Sequence, residues 1–245
     1  MKRYLRQAIA LAALCGVAAL GQSTDARSAG TGVAGGEFTC AGMVATIVGT
    51  NGPDVLIGTP GPDVIVGLGG DDEIYGDRFD DFICGGPGDD YIEGGGGEDL
   101  ILGEEGHDVI DGGVAGVGGP LDDTGDDLIS GGPGHDTIIG SDLPQAGSSL
   151  RGNQGNDTIY IPLGHRALNG RTFAFGGAGN DTISLATGDA VLEGGNGGDE
   201  LIALDQASTV EMDGGRGVDT CTGGTTTTNC ELSDAPVEGF GRPGV

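Results

Sequence analysis

A nine-residue repeat is the feature of this 245-residue sequence that most restricts how it can fold. Residues 49 to 111 divide into seven consecutive nonapeptides: GTNGPDVLI, GTPGPDVIV, GLGGDDEIY, GDRFDDFIC, GGPGDDYIE, GGGGEDLIL and GEEGHDVID. Every one has Gly at its first position, Asp at its sixth, and Leu or Ile at its eighth. A fixed period of this kind predicts a stack of similar units.

Each position of the repeat has a physical explanation. Gly at the first, second and fourth positions suits a tight turn with positive φ angles. The last three residues favour a short strand, in which alternation sends the eighth side chain to one face. We therefore expect two nonapeptides per coil, a turn at each edge, and an interior ladder of Leu56, Ile65, Ile74, Ile83, Ile92, Ile101 and Ile110.

Hydrophobic burial alone does not stabilise such a coil. One buried Ile contributes roughly 1.5 to 3 kcal/mol, whereas ordering nine residues costs more than about 10 kcal/mol. Coils stacked about 4.8 Å apart also bring the sixth-position carboxylates close together. Ca²⁺ accepts six to eight oxygen ligands from carboxylates and backbone carbonyls, so we expect calcium binding and folding to be one event.

The nonapeptides resemble the RTX, or hemolysin-type, calcium-binding repeats of secreted bacterial proteins over most of residues 49 to 222. The resemblance implies an all-β fold, a parallel β-roll (a right-handed β-solenoid), with Ca²⁺ held between successive turns by the motif Asp and turn carbonyls. The implied metal ligands are Asp54, Asp63, Asp72, Asp81, Asp90, Asp99, Asp108, Asp127, Asp136, Asp157, Asp181, Asp199 and Asp219. Fifth-position residues such as Asp71, Asp80 and Asp89 are expected to face solvent.

The C-terminal half changes its period. Its complete motifs begin at Gly131, Gly152, Gly176, Gly194 and Gly214, so one motif serves each coil. The stretches between them, such as LATGDAVLE and DQASTVEMD, lack the ligand Asp and are expected to form metal-free turns on the opposite edge. Extended apolar strands, at 159–163 or 173–175, are expected to add buried area. Residues 112–121 break the register, and either edge is possible where the chain resumes.

The first residues have the pattern of a secretory signal peptide. Lys2, Arg3 and Arg6 precede an apolar run too short to span a membrane, and small residues follow. A lipid anchor on Cys15 is disfavoured because Leu14 precedes it. We expect a secreted protein with a signal peptide at 1–26 (cleaved after 21 or 26), an N-terminal cap at 27–48, a regular two-edged roll at 49–111, a degenerate roll with one calcium edge at 112–222, and a C-terminal cap and tail at 223–245.

Export favours disulfides among the four remaining cysteines, Cys40, Cys84, Cys221 and Cys230. Three pairings are possible. We favour a short loop between Cys221 and Cys230, which leaves Cys40 to pair with Cys84. A zinc site is disfavoured because there is no CxxC pair and no His near these positions.

Charge and motifs limit the function. A net charge of −28 argues against nucleic acid and anionic membranes and favours cations. We expect no catalytic centre, because HExxH, GxSxG and Walker motifs are missing and His107 and His135 occupy solvated turn positions. The favoured function is a monomeric, secreted calcium-binding protein without membrane insertion. The alternatives are a cell-surface adhesion or structural protein, with contact loops at 140–151 and 161–175, an uncatalogued extracellular enzyme, and a disordered linker.

Overall fold

The structure is a computed structural model that describes residues 38–113, 126–140, 147–163, 171–204 and 209–232. Within these ranges every regular element is a strand. Accordingly, no helix that is long and apolar enough to cross a membrane is found among the described residues. The all-β prediction is confirmed.

An antiparallel hairpin, β1 (Thr39–Cys40) and β2 (Met43–Val44), precedes two parallel sheets of ten strands each. Sheet 1 contains β3 (Ile47–Val48), β5 (Val64–Val66), β7 (Phe82–Cys84), β9 (Leu100–Leu102), β11 (Leu128–Pro133), β13 (Ser149–Gln154), β15 (Thr172–Ala178), β17 (Ala190–Asn196), β19 (Val210–Arg216) and β21 (Thr226–Thr228). Sheet 2 contains β4 (Val55–Ile57), β6 (Glu73–Tyr75), β8 (Tyr91–Glu93), β10 (Val109–Asp111), β12 (Thr137–Ile139), β14 (Thr158–Leu163), β16 (Thr182–Thr187), β18 (Glu200–Ala203), β20 (Thr220–Thr222) and β22 (Glu231–Leu232). The chain alternates between the sheets, which is the expected parallel β-roll.

The roll has two edges, which we name by the direction of the chain. First-edge connections lead from sheet 1 to sheet 2, and second-edge connections lead back. In the regular half, each strand pairs with the strand two nonapeptides later, as Ile65 does with Ile83. Since Ile129 then pairs with Ile101, β11 lies in sheet 1, and the chain returns from β10 to β11 on the second edge. The chain therefore resumes in sheet 1, which answers the question that the sequence left open. Most of residues 112–121 lie outside the described residues.

The irregular stretches of the C-terminal half all join a strand of sheet 2 to the next strand of sheet 1. They connect β12 to β13, β14 to β15, β16 to β17 and β18 to β19. The complete motifs all lie on the first edge, because their strands pair in unbroken order from β11 to β19. The prediction that the motif-free stretches form opposite-edge connections is confirmed.

The interior ladder is also confirmed. The eighth-position Ile side chains from Ile65 to Ile110 are fully buried, and Leu56 in the first coil is partly buried against them. In the longer strands of the C-terminal half, Ile161 and Leu185 add a second buried position. The expectation for Phe173 and Phe175 is wrong. Ala174 pairs with Leu150 and Leu192 and points inward, so the two flanking phenylalanines face outward.

The hairpin lies on the outer face of sheet 1 and not in the interior. Cys40 forms a disulfide with Cys84 of β7, and the other disulfide joins Cys221 to Cys230, as expected. Around the first bridge a second hydrophobic cluster forms outside the roll, and its buried members are Cys40, Val64, Val66, Phe82, Cys84 and Leu100. The N-terminal coils are thus packed on both faces of sheet 1.

The glycines of the turn serve two different purposes. Positive φ occurs at the second and fourth positions, as at Gly95 (102°) and Gly97 (141°), but at no described first-position Gly. The expectation of positive φ at the first position is therefore wrong. That position needs Gly for space: a Cβ on Gly94 would lie 2.6 Å from Asp99 Oδ2, 2.8 Å from the Gly112 carbonyl oxygen and 2.9 Å from Ile101 Cδ1.

We expect Gly94→Ala to lower the free energy of unfolding by about 1 to 3 kcal/mol, because the added methyl overpacks this contact. Gly96→Ala is the matched control in the same turn, since a Cβ there meets nothing within 4 Å and the φ angle is not positive. Urea unfolding of both variants in saturating Ca²⁺ measures the difference. Equal midpoints for the two variants would contradict this explanation of the first-position Gly.

Candidate metal centres

The sixth-position aspartates form a continuous ladder along the first edge. Each Asp stands directly before a strand of sheet 2, and its backbone N–H faces the following coil. From the second member onward, Oδ1 of each Asp accepts a hydrogen bond of 2.8 to 2.9 Å from the backbone N–H of the corresponding Asp one coil earlier. This first ladder contains Asp54, Asp72, Asp90, Asp108, Asp136, Asp157, Asp181, Asp199 and Asp219.

The second edge carries a shorter ladder with the same geometry. Asp63, Asp81, Asp99 and Asp127 are linked by bonds of 2.8 to 3.0 Å, and the N–H of Asp127 donates to Ser148 Oγ at 3.2 Å. Beyond Ser148, the strand register puts Thr172, Ala190 and Val210 in the place of the Asp. All thirteen candidate aspartates therefore lie in two rows, with carboxylates on both edges up to Asp127 and on one edge afterwards.

The second carboxylate oxygen has no hydrogen-bond donor in most of these residues. Oδ2 is buried and unpartnered in Asp72, Asp81, Asp90, Asp99, Asp108, Asp136, Asp157, Asp181, Asp199 and Asp219. The residues themselves are at most 2% exposed. A buried ionised acceptor without a donor is strongly destabilising, so this row of atoms requires a positive partner or a proton.

Backbone carbonyl oxygens lie beside these bare carboxylate oxygens. The position that a Cβ of residue 94 would occupy lies within 3 Å of both Asp99 Oδ2 and the carbonyl oxygen of Gly112, so these two oxygens are close to each other. Gly176 is similar, with the Gly194 carbonyl oxygen 2.6 Å from the corresponding point and Asp181 Oδ2 beside it. Carboxylate and carbonyl oxygens of this kind are the ligands that Ca²⁺ prefers, and the residues present therefore fit calcium.

Side chains alone do not form these centres. Within the described ranges, no group of three or more His, Cys, Asp or Glu side chains is arranged to hold a metal ion. The reason is geometric, because each coil contributes only one inward Asp per motif and the next Asp is one coil away. A calcium site here needs the backbone carbonyl oxygens of the glycine turns to complete its ligand set.

Burial changes the acidity of the ladder carboxyls in the absence of cations. Desolvation raises the pKa of Asp81 to about 9, opposed by the hydrogen bond from the Asp63 N–H and reinforced by the neighbouring carboxylates of Asp99 and Asp63. For the same primary reason, the pKa values of Asp90 and Asp108 rise to about 7. The metal-free roll at neutral pH thus holds buried carboxyls that resist ionisation.

Histidines moderate this effect further along the first edge. Burial raises the pKa values of Asp136 and Asp157 to about 6, opposed first by the hydrogen bonds from the Asp108 and Asp136 N–H groups and also by the nearby His107 and His135, respectively. Asp181 also has a pKa raised to about 6 by burial.

The fifth-position residues form a surface ladder that the sequence reasoning missed. His107 N–H donates to Asp89 Oδ1 at 2.9 Å, His135 N–H donates to His107 Nδ1 at 2.8 Å, and Asn156 N–H donates to His135 Nδ1 at 2.6 Å. The two imidazoles stack with their centroids 5.0 Å apart. Asp71 and Asp89 are exposed as expected, whereas Asp80 is half-buried. On the first edge this position holds only Asp, His or Asn from Asp71 to Asn180, and each of these side chains has a hydrogen-bond acceptor close to the backbone, which was the signal in the sequence.

The comparisons agree with this geometry. The family model of the RTX calcium-binding nonapeptide repeat (4 copies) matches residues 48–83, 85–114, 122–142, 148–160 and 167–209, more than half of the chain. These ranges contain every candidate Asp except Asp219, which follows the last range. A search of curated proteins finds no match for the chain.

In chelator, we expect the roll to be more stable at acidic pH than at alkaline pH. The folded-state pKa values of Asp81, Asp90 and Asp108 lie above the ordinary value of 3.8, so the folded state holds more protons than the unfolded state. The stabilisation is complete below about pH 3.8 and is lost as the pH rises through the range from about 7 to about 9. Circular dichroism against pH in EDTA measures it.

Asp81→Asn, which cannot ionise, is expected to reduce this loss of β-structure. Asp77→Asn removes the same charge from an exposed position of the same turn and is the control. A chelated protein with more β-structure at pH 8 than at pH 5 would show that the sign is wrong.

Proposed function

We propose that this chain, which belongs to the RTX calcium-binding nonapeptide repeat family, is a secreted protein that folds on binding several calcium ions between its stacked turns. Calcium binding is a property of the family, and the two parallel sheets of this chain form a β-roll. The proposal adds the source of the ligands, which come from the sixth-position aspartates of the two ladders, and the coupling of binding to folding.

The observation that carries the proposal is that the two oxygens of each carboxylate have different surroundings. Oδ1 is held by a backbone N–H, for example that of Asp81 by the N–H of Asp63 at 2.8 Å, which fixes the orientation of the group. Oδ2 is consequently aimed at the glycine turn, buried and without a donor. A bound cation supplies the missing positive charge and neutralises the carboxylates that lie one above another along the edge.

The same arrangement explains why metal and fold depend on each other. In the unfolded chain the carboxylates are hydrated and far apart, whereas in the coil they are desolvated and adjacent. Calcium makes this arrangement favourable, and the ligands converge only when the coils stack. The protein therefore needs external calcium to become a rigid roll, and it is expected to be largely unfolded where calcium is scarce.

The proposed location and the absence of catalysis have separate support. Two disulfides favour an oxidising compartment outside the cytoplasm, in agreement with the signal peptide expected at residues 1–26, which lies outside the described residues. His107 and His135 hold backbone N–H groups in a surface ladder, so their geometry supports a structural role. We therefore propose a binding protein without a catalytic centre.

We expect circular dichroism to show a cooperative gain of β-structure when Ca²⁺ is added to the chelated protein at pH 7.5. Sites of this extracellular kind respond at roughly 10⁻⁴ to 10⁻³ M calcium. Mg²⁺ at the same concentrations is the control and should have little effect, because it requires rigid octahedral geometry and retains its waters. A full β spectrum in chelator that calcium leaves unchanged would refute the proposal.

The positions of the ions are expected to follow the two ladders. Both edges should hold calcium in the regular section from 49 to 111 and up to Asp127, and only the first edge should hold it afterwards, because Ser, Thr, Ala and Val replace the Asp there. Anomalous scattering from calcium in a crystal locates the ions. Density on the second edge beside Ala190 and Val210 would contradict this assignment.

A further inference from the structure

Asp54 and Asp63 already have donors for the carboxylate oxygen that has none in most of the other ladder aspartates. Asp54 Oδ2 accepts hydrogen bonds from the backbone N–H of Thr50 at 2.6 Å and from Thr50 Oγ1 at 2.8 Å. Asp63 Oδ2 accepts from the N–H of Thr59 at 2.6 Å and from Thr59 Oγ1 at 2.9 Å. Both aspartates belong to the first coil, one on each edge.

The cause lies at the second position of the repeat. The second-position residues have positive φ from Leu68 (83°) through the later described motifs, but not at Thr50 and Thr59. A β-branched residue strongly disfavours positive φ. In two later turns the second-position N–H donates to a carbonyl of the next coil, Gly86 to Gly103 at 3.1 Å and Glu104 to Gly131 at 2.9 Å. In the first coil it donates instead to the Asp of its own turn.

The Asp63 carboxylate also lies farther from the first-position Gly of its turn than the Asp81 carboxylate does. A Cβ on Gly58 would lie 3.2 Å from Asp63 Oδ2, whereas a Cβ on Gly76 would lie 2.6 Å from Asp81 Oδ2 in the next turn of the same edge. Asp63 is also satisfied at Oδ1, which accepts a 3.0 Å hydrogen bond from Thr46 Oγ1. Asp63 is only 4% exposed, and the donors to its carboxylate are the hydroxyl of Thr46 and the hydroxyl and backbone N–H of Thr59.

We propose that Asp54 and Asp63 are not calcium ligands, and that Thr50 and Thr59 close the first coil without metal. Ligation then begins with Asp72 on the first edge and with Asp81 on the second. This inference rests on the proposed calcium-binding function and changes the ligand set that the repeat alone implies. It makes the N-terminal end of the roll a metal-independent cap.

The surrounding structure supports a metal-independent end. The hairpin packs on β5 and β7, and the Cys40–Cys84 disulfide fixes it there. The outer hydrophobic cluster adds burial to the coils that contain Asp63 and Asp81, whereas the interior ladder alone serves many later coils. Hydrogen bonds, burial and a covalent link thus replace the cation where the stack begins.

The test compares Asp63→Asn with Asp81→Asn, the same substitution one coil apart on one edge. Equilibrium dialysis of the purified protein against buffered Ca²⁺ gives the number of bound ions, and circular dichroism in calcium verifies folding. We expect Asp81→Asn to lose at least one ion and Asp63→Asn to bind the same number as the unsubstituted protein. Loss of an ion from Asp63→Asn, equal to that from Asp81→Asn, would overturn the inference.

If Asp63→Asn does not fold in calcium, Thr59→Gly decides the question. This variant places Gly at the second position, as in the repeats with Gly86 and Gly95, and removes the hydroxyl that donates to Asp63 Oδ2. One additional bound ion would support the inference, and an unchanged number would overturn it. An unsubstituted protein that binds no calcium would instead reject the proposed function itself, so the two failures are distinguishable.

Discussion

The whole structure depends on how one carboxylate per turn is shared between two partners. Oδ1 of the sixth-position Asp bonds a backbone N–H of the neighbouring coil, and this bond sets the stacking register at both edges. Oδ2 is left buried beside glycine carbonyls without a donor. The carboxylate that orders the coils is therefore the same group that needs a positive partner, and this is the physical basis of the proposed coupling between calcium binding and folding.

The two edges differ in how many ladder aspartates they carry. From β3 to β20 the first edge repeats one compact turn, and its row of aspartates is unbroken from Asp54 to Asp219. Over the same strands the connections of irregular length lie on the second edge, which loses its aspartates after Asp127. An insertion on one edge leaves the strands and the opposite turns in register, because each strand pairs independently with its neighbours in the sheet. One edge can thus vary while the other preserves the stack.

The C-terminal coils compensate for the missing second row by burying more apolar surface. Their strands are six or seven residues long in several places, against three in the regular half, and Ile161 and Leu185 enter the core as second interior residues. At the N-terminus the compensation is different, since threonine hydrogen bonds and the disulfide-linked hairpin stabilise the first coil. The roll therefore combines three kinds of contact that hold a thin coil together: the carboxylate ladders with their proposed cations, additional burial, and local hydrogen bonds.

The sequence by itself determined the interior Ile ladder and the turns at two edges, because a strict nine-residue period gives every position one environment and the strand alternation decides which side chain points inward. The parallel roll followed from the resemblance of the nonapeptides to the RTX repeats. The two disulfide pairings also followed from spacing and elimination.

Only the tertiary structure decided features that depend on contacts between coils. The edge on which the chain resumes after residues 112–121 follows from the pairing of Ile129 with Ile101, which the length of an insertion does not reveal. The outward direction of Phe173 and Phe175 follows from the position of Ala174 between two inward neighbours. The donors to Asp63 are known only from the structure, which brings Thr46 of the neighbouring coil and Thr59 of the same turn to its carboxylate, because the repeat pattern does not specify side-chain hydrogen bonds.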